Sequence, residues 1–431
     1  LNDKRRGIVL RGGRVLDPSS GRDELADVRV VAGTVIAIAK HVEPASGDNV
    51  IELAGMLVTP GLVDPHVHLR EPGGEASETI ATGASAAVAG GFTTICAMPN
   101  TQPVIDTPER VRDVVARGRS ANMARVLPIG AATVASAGEI PTDVQSLAAA
   151  GAIAVSDDGQ PISTAEMLAR VLGDAAIAGV VVADHCEDLG LSRGGAILAG
   201  KVADRLGVVG IPREAESAAV ERDLEVLARV GGRLHLCHLS TADSVQLVRE
   251  AKQAGLPVTA EASPHHLTLT VDYTERQGST AKMNPPLAEA GDRSALVEAL
   301  IDGTIDCVAT DHAPHTKGEK ARPLSEAPFG VIGLETAFGV VYTELVERGD
   351  VSLTTLFARM TVDPARAFGI ERGRLQVGVS ADLAVFDLDR EWKVEPGRFR
   401  SKARNTPWAG ATLRGRPMLT IVGGEVVFDG R

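Results

Sequence analysis

Aromatic residues make up 3% of the 431 residues: two Trp, two Tyr and eight Phe. With only seven Met besides, such side chains are too scarce to mark a large apolar cofactor box. The four cysteines, Cys96, Cys186, Cys237 and Cys307, form no CxxC pair. That spacing excludes a disulfide scaffold and a thiolate metal knot, and points to reduced core thiols in a cytoplasmic protein. No apolar run reaches the ~18–20 residues of a membrane span. The basic stretch Leu1–Gly7 is not followed by an apolar segment, so no secretory signal is expected. Cationic charge is also short: Lys+Arg 44 against Asp+Glu 56 leaves −12. A general nucleic-acid surface is therefore not expected, although one or two local cations can hold a small anionic substrate. The first apolar run is not followed by a glycine fingerprint, which argues against an open dinucleotide-binding sheet.

What is present is an ordinary globular balance, 44% hydrophobic and 23% charged, with a repeated pattern. Apolar β-like runs occur at Leu62–Leu69, Phe92–Pro99, Arg125–Ala132, Ile153–Gly159, Gly179–Glu187, Arg233–Ser240, Leu256–Ser263 and Ile305–Thr310. Amphipathic helical stretches lie between them, at Glu78–Ala89, Pro108–Arg119, Thr164–Ala178, Arg213–Val230, Thr241–Ala254 and Asp292–Asp302. Near-continuous apolar strands alternating with helices predict an α/β fold, a closed (β/α)8 TIM-type barrel over residues 60–368. Both chain ends, 1–59 and 369–431, carry short β runs and turns. They are expected to pack together as one small β-sandwich domain rather than as two separate extensions. Leu10–Val15 and Ile421–Val426, each with a Gly-Gly pair, read as similar hairpin turns. Ala313–Gly330 exceeds the usual loop length and reads as an active-site lid.

Of ten histidines, only His41 falls outside residues 66–315. The others cluster at the ends of the apolar runs, where a parallel barrel carries its active site. In Asp64-Pro65-His66-Val67-His68, residues i and i+2 share one strand face, so both imidazoles can converge on one cation while Val67 points away. A surface pair would look the same in isolation. His185, His238 and Asp311 at later strand ends strengthen the metal reading, and imidazole with carboxylate suits Zn²⁺, or Co²⁺, Mn²⁺ or Ni²⁺. Asp157 or Asp158 could bridge two cations, or could simply make an Asp-Gly turn. A lysine cannot take that place, because none occurs between Lys40 and Lys201. Asp311 could bind metal and also move a proton. His312 and His315 are both candidate substrate donors.

With these residues in view, the chain resembles the amidohydrolase superfamily, most closely the bacterial dihydroorotases of class I. The specific pieces are His68-Leu69-Arg70-Glu71-Pro72-Gly73, Met98-Pro99-Asn100-Thr101, Ser156-Asp157-Asp158-Gly159, Asn284-Pro285-Pro286, Ala309–His315 and Pro328-Phe329-Gly330. The resemblance implies reversible cyclisation of N-carbamoyl-L-aspartate to L-dihydroorotate in pyrimidine biosynthesis. It implies one or two zinc ions, with His66, His68 and Asp311 at one metal, His185 and His238 at a second, and Asp158 between them. Arg70 and Asn100 would hold the substrate carboxylate, Asn284 and His315 would reach the ring or carboxylate, and Phe329 and Gly330 would supply lid backbone. Asp311 would be the general base and acid.

Cys186 and Cys237 adjoin ligand positions but should face the opposite side, as packing. His235 reads as structural, His265 or His266 as a partner of a ligand, and Glu187 as an orienting or capping group. Two other functions are weighed. A hydantoinase or allantoinase could use the same metals, but Arg70 and Asn100 favour a carboxylate-bearing substrate. A non-catalytic subunit scaffolding aspartate transcarbamoylase would be expected to lose ligands, and every ligand type is present. A homodimer is expected, with a complex with aspartate transcarbamoylase open and no membrane partner.

Overall fold

The computed structural model describes residues 7–431. In chain order the strands are β1 Ile8–Asp17, β2 Arg22–Val31, β3 Thr34–Ala39, β4 Asn49–Glu52, β5 Leu57–Pro60, β6 Leu62–Val67, β7 Phe92–Ala97, β8 Arg125–Ala131, β9 Ala154–Ser156, β10 Val181–Asp184, β11 Ile197–Leu198, β12 Gly210–Ile211, β13 Leu234–Leu236, β14 Val258–Ala262, β15 Cys307–Val308, β16 Leu383–Lys393, β17 Thr412–Val422 and β18 Glu425–Asp429. Eight of them, β6-β7-β8-β9-β10-β13-β14-β15, run as neighbours in one parallel sheet. Just past β15 the chain returns to β6, where the His68 amide donates to the His312 carbonyl at 2.9 Å and Val67 bridges His312 in parallel. The sheet is thus closed into the expected barrel, and all eight apolar runs contain its strands.

The helices follow the same logic. Thr107, Thr164 and Thr241 each cap a following helix by accepting a backbone N–H through the side-chain oxygen, which satisfies a donor the helix itself leaves unpaired. Their apolar faces pack on the outer surface of the barrel, among them Leu168, Val171 and Leu172 of the helix Ala165–Ala178. The barrel interior mixes small and large apolar groups. Cys96, Cys237 and Cys307 pack there with Ile129, Ala154, Val181 and Phe368. The cysteines act as compact apolar fillers, and burial pushes their thiols well above the ordinary range, so they stay protonated.

Both chain ends enter one eight-stranded sheet, in the order β18-β17-β16-β5-β1-β2-β3 with β4 on β1. The antiparallel pairing of β16 with β5 joins the two ends, so they are not independent extensions. The second Gly-Gly pair, Gly423-Gly424, does turn β17 into β18. The first pair does not turn the chain. Leu10 pairs with Val28 and Gly13 with Ala26, so β1 carries one extra residue, a bulge in which Gly12 takes a φ of 71° that glycine adopts without strain. The strand continues to Asp17 because Asp27 Oδ1 accepts the Gly12 N–H at 2.8 Å, compensating the broken ladder.

The sparse aromatics are concentrated where the two parts meet. Phe386 of β16 lies 4.3 Å from Phe338 and 5.3 Å from Phe357, ring centre to ring centre, on helices beside the barrel. A second joint is electrostatic. Buried Asp382 receives Arg125 of β8 through two nitrogens at 3.0 and 3.1 Å and the Gly423 amide at 2.7 Å, and Arg372 lies 2.9 Å away. Asp382→Ala leaves two guanidiniums without their shared anion. A loss of about 2–3 kcal/mol in urea denaturation is expected, below the full value for a buried pair because both arginines keep contact with water. A change under about 0.5 kcal/mol would show that this joint carries no stability.

Candidate active site

The barrel mouth collects side chains that the sequence spreads over 245 positions, from His66 to Asp311. Alternation on β6 sends Val67 into the packed outer layer while His66 and His68 turn toward the axis. Asp64 anchors the start of this turn. It accepts the His66 amide at 3.1 Å and, from the eighth strand's end, the Thr310 amide at 3.1 Å and hydroxyl at 2.6 Å. Burial pushes its carboxyl up to about 7.

Asp158 occupies the centre. Its Oδ2 lies 3.4 Å from His66 Nε2 and 3.5 Å from His68 Nε2. Its Oδ1 lies 3.4 Å from His185 Nδ1 and 3.3 Å from His238 Nε2. Asp311 Oδ1 completes the first pair, 3.1 Å from His68 and 3.7 Å from His66. Asp157 faces away and accepts both the amide and the hydroxyl of Thr133. Of the two neighbouring acids, only Asp158 therefore meets the histidines.

This donor set fits divalent metal. Imidazole and carboxylate atoms of His66, His68 and Asp311, and of His66, Asp158 and His238, lie within 4.8 Å of one another. His66 Nε2 is buried without a hydrogen-bond partner, as expected of an atom aimed at a cation. The electrostatics agree. Burial opposes ionisation throughout, yet the neighbouring imidazoles hold Asp158 and Asp311 well below the usual carboxylate range. Asp158 and Glu187 raise His185 to about 10 against its burial. His68 is lowered instead, by burial and then by Arg70.

The other expected residues surround a cavity of about 210 Å³ above this cluster, lined by Arg70, Asn100, Asn284, His315, Phe329 and Gly330 together with five of the six candidate ligands. Arg70 is fixed through Nε, which donates to the Pro314 carbonyl at 3.2 Å, and no carboxylate among the described residues pairs with it. Asn100 accepts from His68 Nδ1 through Oδ1 at 2.8 Å, so it orients a ligand candidate as well as lining the cavity. Asn284 donates to Glu187 at 2.9 Å, and Glu187 also accepts from His185 at 2.9 Å. His315 donates from Nε2 to the Phe329 carbonyl at 2.7 Å, and burial beside Arg70 pulls its ring down to about 4. Arg70, His238 and Asp311 hold φ angles of 61°, 33° and 44°. For non-glycine residues that conformation costs about 1–3 kcal/mol each, and such strain gathers at functional sites.

His312 does not reach the cavity. Its ring lies 3.3 Å from Glu78 through Nε2 and accepts the Gly333 amide at Nδ1. The reading of His312 as a substrate donor is therefore corrected: as the chain leaves the strand, its side chain turns into the wall. Two functional neighbours escaped the sequence reading. Glu261 on β14 accepts from His66 Nδ1 at 2.7 Å, His235 Nε2 at 3.0 Å and the His238 amide at 3.2 Å. Its signal was present, since a carboxylate inside the apolar run Val258–Ala262 needs a buried partner. Asn405 donates to the carbonyls of Ala313 at 3.0 Å and Gly330 at 3.2 Å, holding both ends of the lid. A lone Asn in a distant loop carries no such signal.

Comparison with known proteins agrees with this geometry. A family model described as dihydro-orotase-like matches residues 55–244. The dihydroorotase of Pelotomaculum thermopropionicum is 47% identical over 98% of this chain and 99% of its own. Those of Bacillus caldolyticus and Staphylococcus aureus are 45% and 44% identical over the same shares. The chain belongs to the dihydroorotase family. Among solved structures, L-hydantoinase (dihydropyrimidinase) from Arthrobacter aurescens superposes with a TM-score of 0.88 at 28% identity, over 98% of this chain and 96% of its own. D-hydantoinase from Thermus sp. superposes at 0.82 with 24% identity over 98% and 96%, a likeness of fold.

In this member of the dihydroorotase family, Glu261 fixes the tautomer and rotation of His66 from behind. Groups in that position are typically worth about 10–100-fold in metal affinity. Glu261→Gln should therefore weaken metal uptake by about that factor in competition with a chromogenic chelator. Unchanged affinity would remove the orienting role.

Proposed function

We propose that this protein is a dihydroorotase acting in pyrimidine biosynthesis, interconverting L-dihydroorotate and N-carbamoyl-L-aspartate. Near-full-length relatives of that name support the reading. The observation that carries it is Arg70, a half-buried guanidinium unpaired by any described carboxylate, lining the same cavity as the imidazole–carboxylate cluster. Its planar fork suits a carboxylate, the group that distinguishes both substrates from a plain hydantoin. One local cation also reconciles an acidic protein with an anionic substrate.

His66, His68 and Asp311 would hold one metal, His185 and His238 a second, and Asp158 would lie between them, with zinc the metal this donor set favours. When bound, such an ion supplies Lewis acidity and lowers the pKa of water toward ~7. The chain's own residues do the rest. Arg70 and Asn100 fix the carboxylate and so set the ring's orientation, while Asn284 and His315 reach the ring or the carboxylate. The Asp311 carboxylate takes the proton of the attacking water as oxygen adds to C4. It delivers that proton to N3 as the C4–N3 bond breaks. Phe329 and Gly330 close the cavity against bulk water. Ring closure reverses these steps, and lower pH favours it because a carboxylate must be protonated.

A hydantoinase reading has the solved structures in its favour, but Arg70 and the missing lysine at the Asp158 position oppose it. A scaffold without activity is opposed by the complete ligand set. Among the described residues no helix is long and apolar enough to cross a membrane. Cytoplasmic location, homodimer formation and association with aspartate transcarbamoylase are part of this proposal as expectations from the family.

An assay of metal-quantified protein on dihydroorotate, hydantoin and allantoin separates these readings: only dihydroorotate should turn over well. Asp311→Ala should lower kcat by at least about 10²–10⁴-fold with the fold retained by circular dichroism; residual wild-type turnover would remove the proton-transfer role. Arg70→Met should raise KM for dihydroorotate about 10–100-fold, the worth of a hydrogen-bonded charge. Unaltered kinetics would contradict the carboxylate assignment.

A further inference from the structure

The lid is not the structureless loop its composition suggests. Thr316 caps a single helical turn, Lys317–Lys320, in a box closed by Glu319. The turn ends on a lysine that is only 5% exposed. Its Nζ donates to three backbone carbonyls: Lys282 at 3.2 Å, Pro328 at 3.1 Å and Gly330 at 3.0 Å. An ammonium has three N–H donors and no acceptor, so this arrangement uses every donor. No carboxylate among the described residues lies in ion-pair reach of Lys320. A buried cation without a counter-ion is unfavourable, and burial with Lys282 nearby pulls the Lys320 ammonium down to about 7; the three carbonyls are what favours its protonated form.

The three acceptors belong to two segments that meet beside the cavity, where the Gly330 amide donates to the Lys282 carbonyl at 2.9 Å. Lys282 lies two residues before Asn284, while Pro328 and Gly330 flank Phe329, and Asn284, Phe329 and Gly330 all line the cavity. Lys282 reinforces the same joint, with Nζ 4.4 Å from the centre of the Phe329 ring and donating to the Ser325 carbonyl at 3.4 Å. The fit at Gly330 is tight. A Cβ there would lie 2.5 Å from Ala313 Cβ and 3.2 Å from His315 Nε2, so a small shift of the lid changes the cavity directly.

We propose that Lys320 is a positioning residue for the substrate: its ammonium ties the Pro328–Gly330 end of the lid to the Lys282–Asn284 segment and so fixes where Asn284, Phe329 and Gly330 border the cavity. The inference rests on the reading of this cavity as the dihydroorotate site. Loss of the ammonium does not cut the lid loose. The Gly330 amide still donates to the Lys282 carbonyl at 2.9 Å, and Asn405 still holds the Gly330 carbonyl at 3.2 Å. What is lost is the three-way tie, so binding should suffer more than chemistry.

The test uses the full chain with metal, in the variants Lys320→Met and Lys320→Gln. The second keeps two N–H donors on a side chain one methylene shorter, and it carries the test alone should Lys320→Met not fold. Steady-state kinetics on dihydroorotate should show KM raised about tenfold with kcat held within about threefold, the pattern of lost uniform binding. Amide hydrogen exchange should speed up in residues 321–330 and not in the barrel strands, with Lys320→Gln intermediate. Wild-type KM together with wild-type lid exchange in either variant would overturn the proposal, and so would a loss confined to kcat. Failure of the underlying reading looks different, since wild-type protein would then not turn over dihydroorotate at all, whatever the lid exchange shows.

Discussion

The structure depends on the confinement of like groups around the Asp158 carboxylate. Four imidazoles crowd within hydrogen-bond or ion-pair distance of it, and a second carboxylate, Asp311, meets two of them, in a place where burial penalises every charge. Such a cluster is stable only if opposite charges alternate or if a cation sits among them. Asp158 satisfies the first condition by presenting one oxygen to each histidine pair. The unpartnered Nε2 of His66 leaves room for the second.

Everything around the cluster serves to hold it still. Asp64 ties the first strand to the end of the eighth, and Glu261 braces His66 and the His238 backbone from beneath. The left-handed backbone at Arg70, His238 and Asp311 turns the chain sharply at the strand ends. The strain is affordable because closed sheet and packed helices over-determine those positions. The end sheet contributes as well. Its aromatic seam and Asp382 lock it to the barrel, and the same C-terminal stretch sends Asn405 to hold the lid at Ala313 and Gly330. The segment most distant in sequence thus helps shape the cavity that separates this site from bulk water.

Much of this was legible beforehand. The eight strands stood out because barrel strands are apolar on both faces and the intervening helices are not. His66 and His68 declared themselves through two-residue spacing, and the remaining ligand candidates through their place at strand ends. The errors have physical causes. His312 lies where the chain leaves regular structure, so alternation no longer tells which way a side chain points. Gly12-Gly13 resembles a turn, but a bulge needs the same left-handed glycine. Glu78, which receives His312, is an ordinary helix-flanking acid until the fold buries it.

Local order alone determined the strand and helix pattern, the barrel class, and which residue types arrive at its mouth, because side-chain period and capping are properties of neighbouring residues. Which of Asp157 and Asp158 meets the histidines, which histidine faces the cavity, and that Glu261, Asn405 and Lys320 brace it were decided only by tertiary structure. Those outcomes turn on contacts between segments far apart in the chain, where a rotation of one residue at a strand end changes the partner entirely.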